Sequence, residues 1–470
     1  MKNRVNIQNI ANKEGEEVLI SGWVDARRDH GKLIFLDIRD SSGIAQVVIT
    51  PKNEEAYEAA KNVRDEWVVS VTGVVKKRPD NMVNPDTETG TVEIPAEEFT
   101  VLNKAETLPF PIDSDGYDIS EELRLKYRYL DLRRKRVNEN IKLRSELIRR
   151  ARDFLFEKGF TEIETPLLTK STPEGARDFL VPARLQPGKF FALPQSPQQY
   201  KQLLMVAGFE KYFQIARAVR DEDLRADRGF EHTQIDIEVS FVERDEVMAL
   251  NEEMITTVFK SMGQKIKEEP FPVFTYEEAM EKFGQDRFDL RSEEDKKNNV
   301  LAFAWVVDFP FFEKDGDGNW TFTHNPFSQP KEEFLKDVHD GKNIESILTT
   351  QYDLVCNGYE VGGGSIRAHQ PEVLKAVLKI MGYTEESAKE DFGHMLEAFS
   401  YGAPPHGGIA YGVERLLMIL RNEEYLREVQ AFPQTGSGRT SVMDAPSSVG
   451  KKQLKELGID IIKKDENKKD

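Results

Sequence analysis

YFQIARAVRDEDLRADRGFEHTQIDIEVSF, residues 212–241, reads as two strands joined by a charged loop. At a period of two residues, the second half sends Thr233, Ile235, Ile237, Val239 and Phe241 to one face and His232, Gln234, Asp236, Glu238 and Ser240 to the other. The first face is expected to be core. The incoming half alternates through Val219 and ends in Arg220 and Glu222, which share a parity. The loop from Asp223 to Gly229 carries Arg225 and Arg228. A sheet face bearing Gln214, Arg220, Glu222, Gln234 and Asp236 is costly to bury without partners, at about 1–3 kcal/mol per group. Such a face calls for a charged ligand.

Two further stretches sharpen this reading. In YDLVCNGYEVGGGSIRAH, residues 352–369, Asn357-Gly358 is the dipeptide of a two-residue hairpin turn. The turn would pair Val355 with Glu360 and leave Asp353 on the same face one diagonal away. Two carboxylates would then share a site suited to a hard divalent cation. In YGAPPHGGIAYGVERLLMIL, residues 401–420, glycines at 407, 408 and 412 precede Arg415, which stands where an apolar helical pattern begins.

An Arg-x-Glu strand with a charged loop and return strand, followed later by a Gly-rich strand and an Arg-bearing helix, resembles motifs 2 and 3 of class II aminoacyl-tRNA synthetases. FTEIETPLLTKSTPEGARDF, residues 160–179, resembles motif 1 with its Pro166. LPQSPQQYKQLL, RDEDLRADR, NGYEVGGGSIR and GAPPHGG are similar to the aspartyl-tRNA synthetases of the bacterial type, and the resemblance covers essentially the whole chain. It implies an α+β protein: an N-terminal OB-fold β-barrel and a class II synthetase catalytic domain, an antiparallel sheet flanked by helices. The expected division is 1–104 for the anticodon-binding barrel, 105–137 for a hinge, 138–446 for the catalytic domain and 447–470 for an extension whose charged end, from Lys463, is disordered. Bacterial members carry a large insertion between motifs 2 and 3; here only SEEDKKNNV separates Arg291 from Leu301.

Composition agrees with a globular protein: 470 residues, 39% hydrophobic and 31% charged. No apolar run reaches membrane-helix length and MKNRVNIQNI lacks the apolar region of a signal peptide, so a cytoplasmic location is expected. The single cysteine, Cys356, excludes an internal disulfide and is expected to be structural. A net charge of −18 opposes general affinity for phosphate, so an RNA partner must meet local basic patches. Candidates are Arg27, Arg28, Lys32 and Arg39, then Lys76 to Arg78, then Arg133 to Arg136. In the first hundred residues, Ile34, Leu36 and Ile38 form an apolar strand face and leave Phe35 opposite, free to stack a base.

The resemblance assigns roles residue by residue. Arg220 and Arg415 would be catalytic, on the α- and γ-phosphates of ATP; Asp221, Glu222, Arg228, Glu360, Gly412, Val413 and Glu414 complete the ATP site. Asp353 and Glu360 would hold Mg²⁺. L-aspartate would meet Lys201, Arg220 and Arg367 through its carboxylates and Glu174, Ser196 and Gln198 through its ammonium, with Asp236 orienting the basic pair and His324 closing over the substrate. Arg28, His30, Phe35, Gln46 and Glu93 would read the anticodon. His30 resembles the members that charge both tRNA-Asp and tRNA-Asn. Departures from the bacterial pattern are Asn325 in place of a second histidine, Glu414 for aspartate and Gly229 for a polar residue. Motif 1 implies a homodimer. Arg367 stands on the opposite parity from Glu360, so the Gly362–Gly364 run is expected to contain a bulge. An asparaginyl-tRNA synthetase, a non-catalytic RNA-binding paralogue and an amidoligase are the competing readings. Two cations suit a carboxylate better than a neutral amide.

Overall fold

The computed structural model describes residues 3–172 and 175–462, which fall into two compact units, Met1–Pro111 and Ile112–Asp470. Glu174 and the tail from Lys463 lie outside the described residues. No described helix is long and apolar enough to cross a membrane.

The first unit is a seven-stranded sheet. Leu33–Arg39 lies antiparallel between Glu17–His30 and Ile44–Ile49, and Val68–Val74 takes the other edge of Glu17–His30. Alternation builds its core: Val18, Ile20 and Val24 meet Ile34, Leu36 and Ile38 inside. Phe35 therefore points outward, as its parity requires.

The second unit is organised on an eight-stranded sheet. Its order is Val273–Thr275, Phe303–Val307, Tyr352–Cys356, Tyr359–Ile366, His406–Gly412, Glu231–Ser240, Lys211–Val219, Thr161–Glu162. The two edge pairs are parallel and every pairing between them is antiparallel. Ile235, Ile237 and Val239 pack with Ile409, Tyr411 and Leu354, under helices Lys135–Glu157, Arg244–Ser261 and Val413–Arg421. Phe241 departs from its expected place. It follows the strand end at Ser240, has φ +60° and is exposed, because the chain turns there toward the next helix.

Asn357 and Gly358 both have positive φ, +52° and +91°, as the tight hairpin turn demands. Val355 pairs with Glu360, and the register then slips, so that Leu354 faces Gly362. The extra residue is thus Val361, one position before the glycine run that was expected to hold the bulge. Its side chain drops into the core and flips the strand so that Arg367 faces the site.

The basic run before the long helix is only partly a surface patch: Lys135 is exposed, whereas its neighbours Arg134 and Arg136 turn to internal carboxylates. Arg134 and Arg128 are buried on Asp131, Arg124 joins Asp131 and Glu428, and Arg136 pairs with Glu423 and Glu428. Buried guanidinium groups are retained only when paired in this way. The polar link after Arg291 forms a short helix, Glu293–Lys297, closed by a reciprocal cap between Ser292 and Asp295. Lys267 fastens its base by donating to Leu290 O at 2.6 Å and Asp295 at 2.8 Å.

Candidate active site

The centre of the site is a buried charge cluster on the polar face of the sheet. Lys201, from the helix Gln198–Val206, sends its ammonium 2.8 Å from Asp236 Oδ1 and 3.1 Å from Glu238 Oε2. Arg367 holds Glu238 through Nε at 2.9 Å and Nη2 at 3.1 Å, and its other bonds go to Ser365 Oγ and Gly408 O. Both cations are nearly inaccessible, at 1% and 2% exposure. Burial works against the Glu238 carboxylate, yet Arg367 and Lys201 overcome it and hold it at about 2. Burial pushes Asp236 up instead, and Lys201 opposes that.

Counting donors shows what remains. A guanidinium has five N–H groups and an ammonium three. The bonds above use all but one N–H on Nη1 of Arg367, and leave one on Lys201. Among the described residues two charged donors thus remain without a partner, enough for a group with two acceptor oxygens. Just ahead of the Lys201 helix, the Ser196 hydroxyl accepts from Gln198 N, and Gln198 bonds Gln202. A cavity of about 220 Å³ adjoins them, lined among others by Thr169, Asp178, Gln195, Ser196, Gln199 and Tyr200.

The second part is a row of guanidinium groups. Arg220 donates through Nε to Gln195 O at 3.2 Å, and backbone bonds tie its neighbour Asp221 to Arg177. Arg415, on the first turn of its helix, donates to Glu360 O at 2.6 Å and to Asp227 at 3.2 Å. Arg228 lies 3.6 Å from Glu222. His232 sits among these groups; burial, then Arg220 and Arg415, press its imidazole down to about 3 and keep it neutral.

The third part is a carboxylate pair across a glycine. A Cβ on Gly363 would lie 2.8 Å from Asp353 Oδ1 and 3.4 Å from Glu360 Oε1, so both carboxyl groups crowd one side of that residue. Among the described residues no ready-made cage of three or more His, Cys, Asp or Glu exists. Two carboxylates beside arginines nevertheless fit Mg²⁺, which binds through one or two carboxylates and takes its other oxygens from phosphate and water. His324 Nε2 is 3.4 Å from Asp353, so it belongs to this part and not to the Lys201–Arg367 cluster.

Several expected site residues sit differently. Val413 is fully buried in the core, so its side chain cannot reach a nucleotide. Glu414 turns away to Arg144 at 2.9 Å and accepts from Thr233 N, locking two elements together. Of Val413, Glu414 and Arg415, only Arg415 sends its side chain into the site, because consecutive helical residues diverge by 100°. Asn325 caps its own turn through Phe327 N. Asp227 and Arg287 were not named from the sequence, and Glu238 and Gly363 were read there only for their places on the strands, without a role in the site. Glu238 could have been given one: it shares a face with Asp236 two residues away.

In the first unit, Arg28 grips Asp37 through two bonds of 2.7 and 2.8 Å, and Gln46 donates to Glu93 at 3.1 Å. Asp37 pairs with Gln46 across the strands and Phe35 with Arg28, which puts these residues beside one another. His30 is exposed at the strand end.

Residues 120–436 match the family of class II tRNA synthetases (D, K and N), and residues 18–102 match the OB-fold nucleic acid binding domain. The chain belongs to that synthetase family. It is an aminoacyl-tRNA ligase of mixed α+β fold, with an OB-fold domain ahead of a class II catalytic domain. Its relatives include the aspartate–tRNA(Asp/Asn) ligase of Corynebacterium jeikeium, 40% identical over 578 positions and covering 95% of this chain and 96% of that protein. That of Caldanaerobacter subterraneus subsp. tengcongensis is 41% identical over 572 positions, covering 95% and 96%. Both alignments are longer than the chain's 470 residues, so these relatives carry stretches that this chain lacks. Among solved structures, asparaginyl-tRNA synthetase of Pyrococcus horikoshii complexed with asparaginyl-adenylate superposes with a TM-score of 0.72 at 25% identity, covering 93% of this chain and 99% of that one. A putative aspartyl-tRNA synthetase from Leishmania major superposes at 0.75 with 20% identity, over 92% and 94%.

Proposed function

We propose that this ligase activates L-aspartate with ATP and transfers it to tRNA-Asp and tRNA-Asn. The observation that carries the choice of aspartate is the buried Lys201–Arg367 pair with one charged donor left on each. A carboxylate satisfies both donors, whereas an amide presents one oxygen and would turn its NH₂ toward a cation. Asp236 and Glu238 orient the pair. Ser196, Gln198 and Glu174 receive the ammonium group.

An oxygen of the aspartate α-carboxylate attacks the α-phosphorus, the bond to the bridging oxygen breaks, and pyrophosphate leaves with the electron pair. A hydroxyl of the terminal ribose of tRNA then attacks the aspartyl carbonyl; AMP departs and the hydroxyl proton passes to solvent. The protein's part is placement and charge neutralisation. Arg220 takes the α-phosphate together with the attacking carboxylate, Arg415 the γ-phosphate, and Glu222 the adenine amino group; Asp221, Arg228 and the backbone at Gly412 border the nucleotide. Asp353 and Glu360 would hold Mg²⁺, which when bound neutralises phosphate charge. His324 closes over this end. Arg28, His30, Phe35, Gln46 and Glu93 form the anticodon surface of the 1–104 barrel, the catalytic domain runs over 138–446, and the protein is a cytoplasmic homodimer through motif 1. Curated relatives named for both tRNAs support the dual specificity.

Aspartate-dependent ATP–pyrophosphate exchange, with asparagine in parallel, tests the reading. Exchange with aspartate is expected; exchange with asparagine alone would overturn it. Aspartylation of each purified tRNA tests the second half, and a hundredfold preference for tRNA-Asp, about 2.7 kcal/mol, would refute dual charging.

A further inference from the structure

Glu360 is touched by two guanidinium groups from different parts of the chain. Arg287 Nη2 lies 3.0 Å from its Oε2, and Arg415 Nη1 lies 3.9 Å from the same oxygen. Arg287 belongs to no motif, yet its position is fixed. The next residue, Phe288, is buried against Val355 and accepts the N–H of Gly358 at 3.0 Å, which ties the segment to the hairpin turn that carries Glu360. Asp289 then fastens the following residues through the N–H and guanidinium of Arg291. The side chain itself is 42% exposed, so its ion pair is weak and easily exchanged. Arg415 is likewise held by a replaceable carboxylate, that of Asp227. Both arginines thus rest on acidic groups at the polyphosphate end of the site, and both reach one oxygen, close enough to share a diphosphate.

We propose that Arg287 is a further phosphate-binding arginine, which contacts the terminal phosphates of ATP beside Arg415 and stabilises the charge that gathers on pyrophosphate as it leaves. The inference rests on the reading of Arg415 and Glu360 as the ATP site. A guanidinium suits this task because its donors match phosphate oxygens in pairs. The forward step delivers the electron pair of the broken bond to pyrophosphate; in exchange, the same residue would capture free pyrophosphate.

The test compares Arg287→Ala and Arg287→Lys with the parent in two measurements: calorimetric binding of ATP with Mg²⁺, and ATP–pyrophosphate exchange resolved into KM values for ATP, pyrophosphate and aspartate. For Arg287→Ala, ATP binding is expected to weaken about tenfold or more, the KM values for ATP and pyrophosphate to rise with it, and the aspartate KM to stay near the parent's. Arg287→Lys should recover much of the loss. ATP affinity within about twofold of the parent, or equal losses for ATP and aspartate without rescue by lysine, would overturn the proposal. If the parent shows no aspartate-dependent exchange, the specificity reading fails, and calorimetry on the two variants still decides the placement of Arg287.

Discussion

At the scale of single residues, the buried cluster ties substrate recognition to stability. Removing Arg367 takes the bidentate partner from a fully enclosed Glu238 and leaves Lys201 to serve two carboxylates. Arg367→Leu is therefore expected to abolish aspartate activation and also to cost about 3–5 kcal/mol of stability, the usual range for a broken buried pair. Urea unfolding alongside the exchange assay would measure both; an unchanged unfolding midpoint would refute the coupling. A second cluster makes a pH prediction. Burial raises the Glu428 carboxyl, but Arg124, Arg136 and Arg128 overcome it and hold it at about 2, below its ordinary 4.5. Its folded pKa is depressed, so its contribution is complete above 4.5 and is lost as pH falls from there toward 2. The contribution is on the order of 3 kcal/mol. Glu428→Gln should flatten that acid limb in unfolding measured against pH. Lys201, Arg367 and Asp236 were legible in the sequence through short motifs. Arg287 and Asp227 were not, since each gains its meaning from a partner more than seventy positions away in the chain, at Glu360 and Arg415.

At the scale of elements, period-two alternation was enough to recover the strands around Asp236 and the hairpin at Asn357-Gly358. It could not locate the bulge. A strand that inserts one residue looks regular on both sides, and Val361 is as apolar as its core neighbours, so only the observed pairing reveals the slip. The side toward which Glu414 turns was equally hidden, because its partner Arg144 comes from another helix. Glycine in these strands serves close approach. A Cβ on Gly408 would collide with the carbonyl of Ile237 and the carboxylate of Glu238, and backbone cannot yield as a side-chain tip does. Gly408→Ala is expected to cost about 3 kcal/mol or more, at the upper end of overpacking effects. It should also weaken aspartate binding by disturbing Glu238; a stable variant with parental aspartate KM would contradict this. These strand glycines are spacing devices between sheet and charge cluster.

At the scale of the molecule, a net charge of −18 leaves nucleic-acid binding to local surfaces, and the structure shortens the roster of candidates. The run at Arg133–Arg136 supplies internal ties through Arg134 and Arg136. The barrel's Arg28 faces solvent, though already bound to Asp37. The two units have separate cores, so the barrel's alternation and the catalytic sheet's could be read independently. What the sequence could not convey was how completely the short link between Arg291 and Leu301 is finished off, with its reciprocal cap and its lysine fastening. A segment closed on itself in this way is a socket. Both of its ends are also held from outside it, Leu290 O by the ammonium of Lys267 and Leu301 by the backbone of Lys265 and Lys267, and lengthening a loop of this kind costs only about 0.6 kcal/mol per doubling. A foreign domain whose termini lie close together, spliced between Lys297 and Val300, should leave adenylate formation near the parental rate, and a large loss of exchange activity would show that the closed link supports catalysis. The molecule can then be treated as a chassis with a built-in port, at which parts can be fitted without touching the engine.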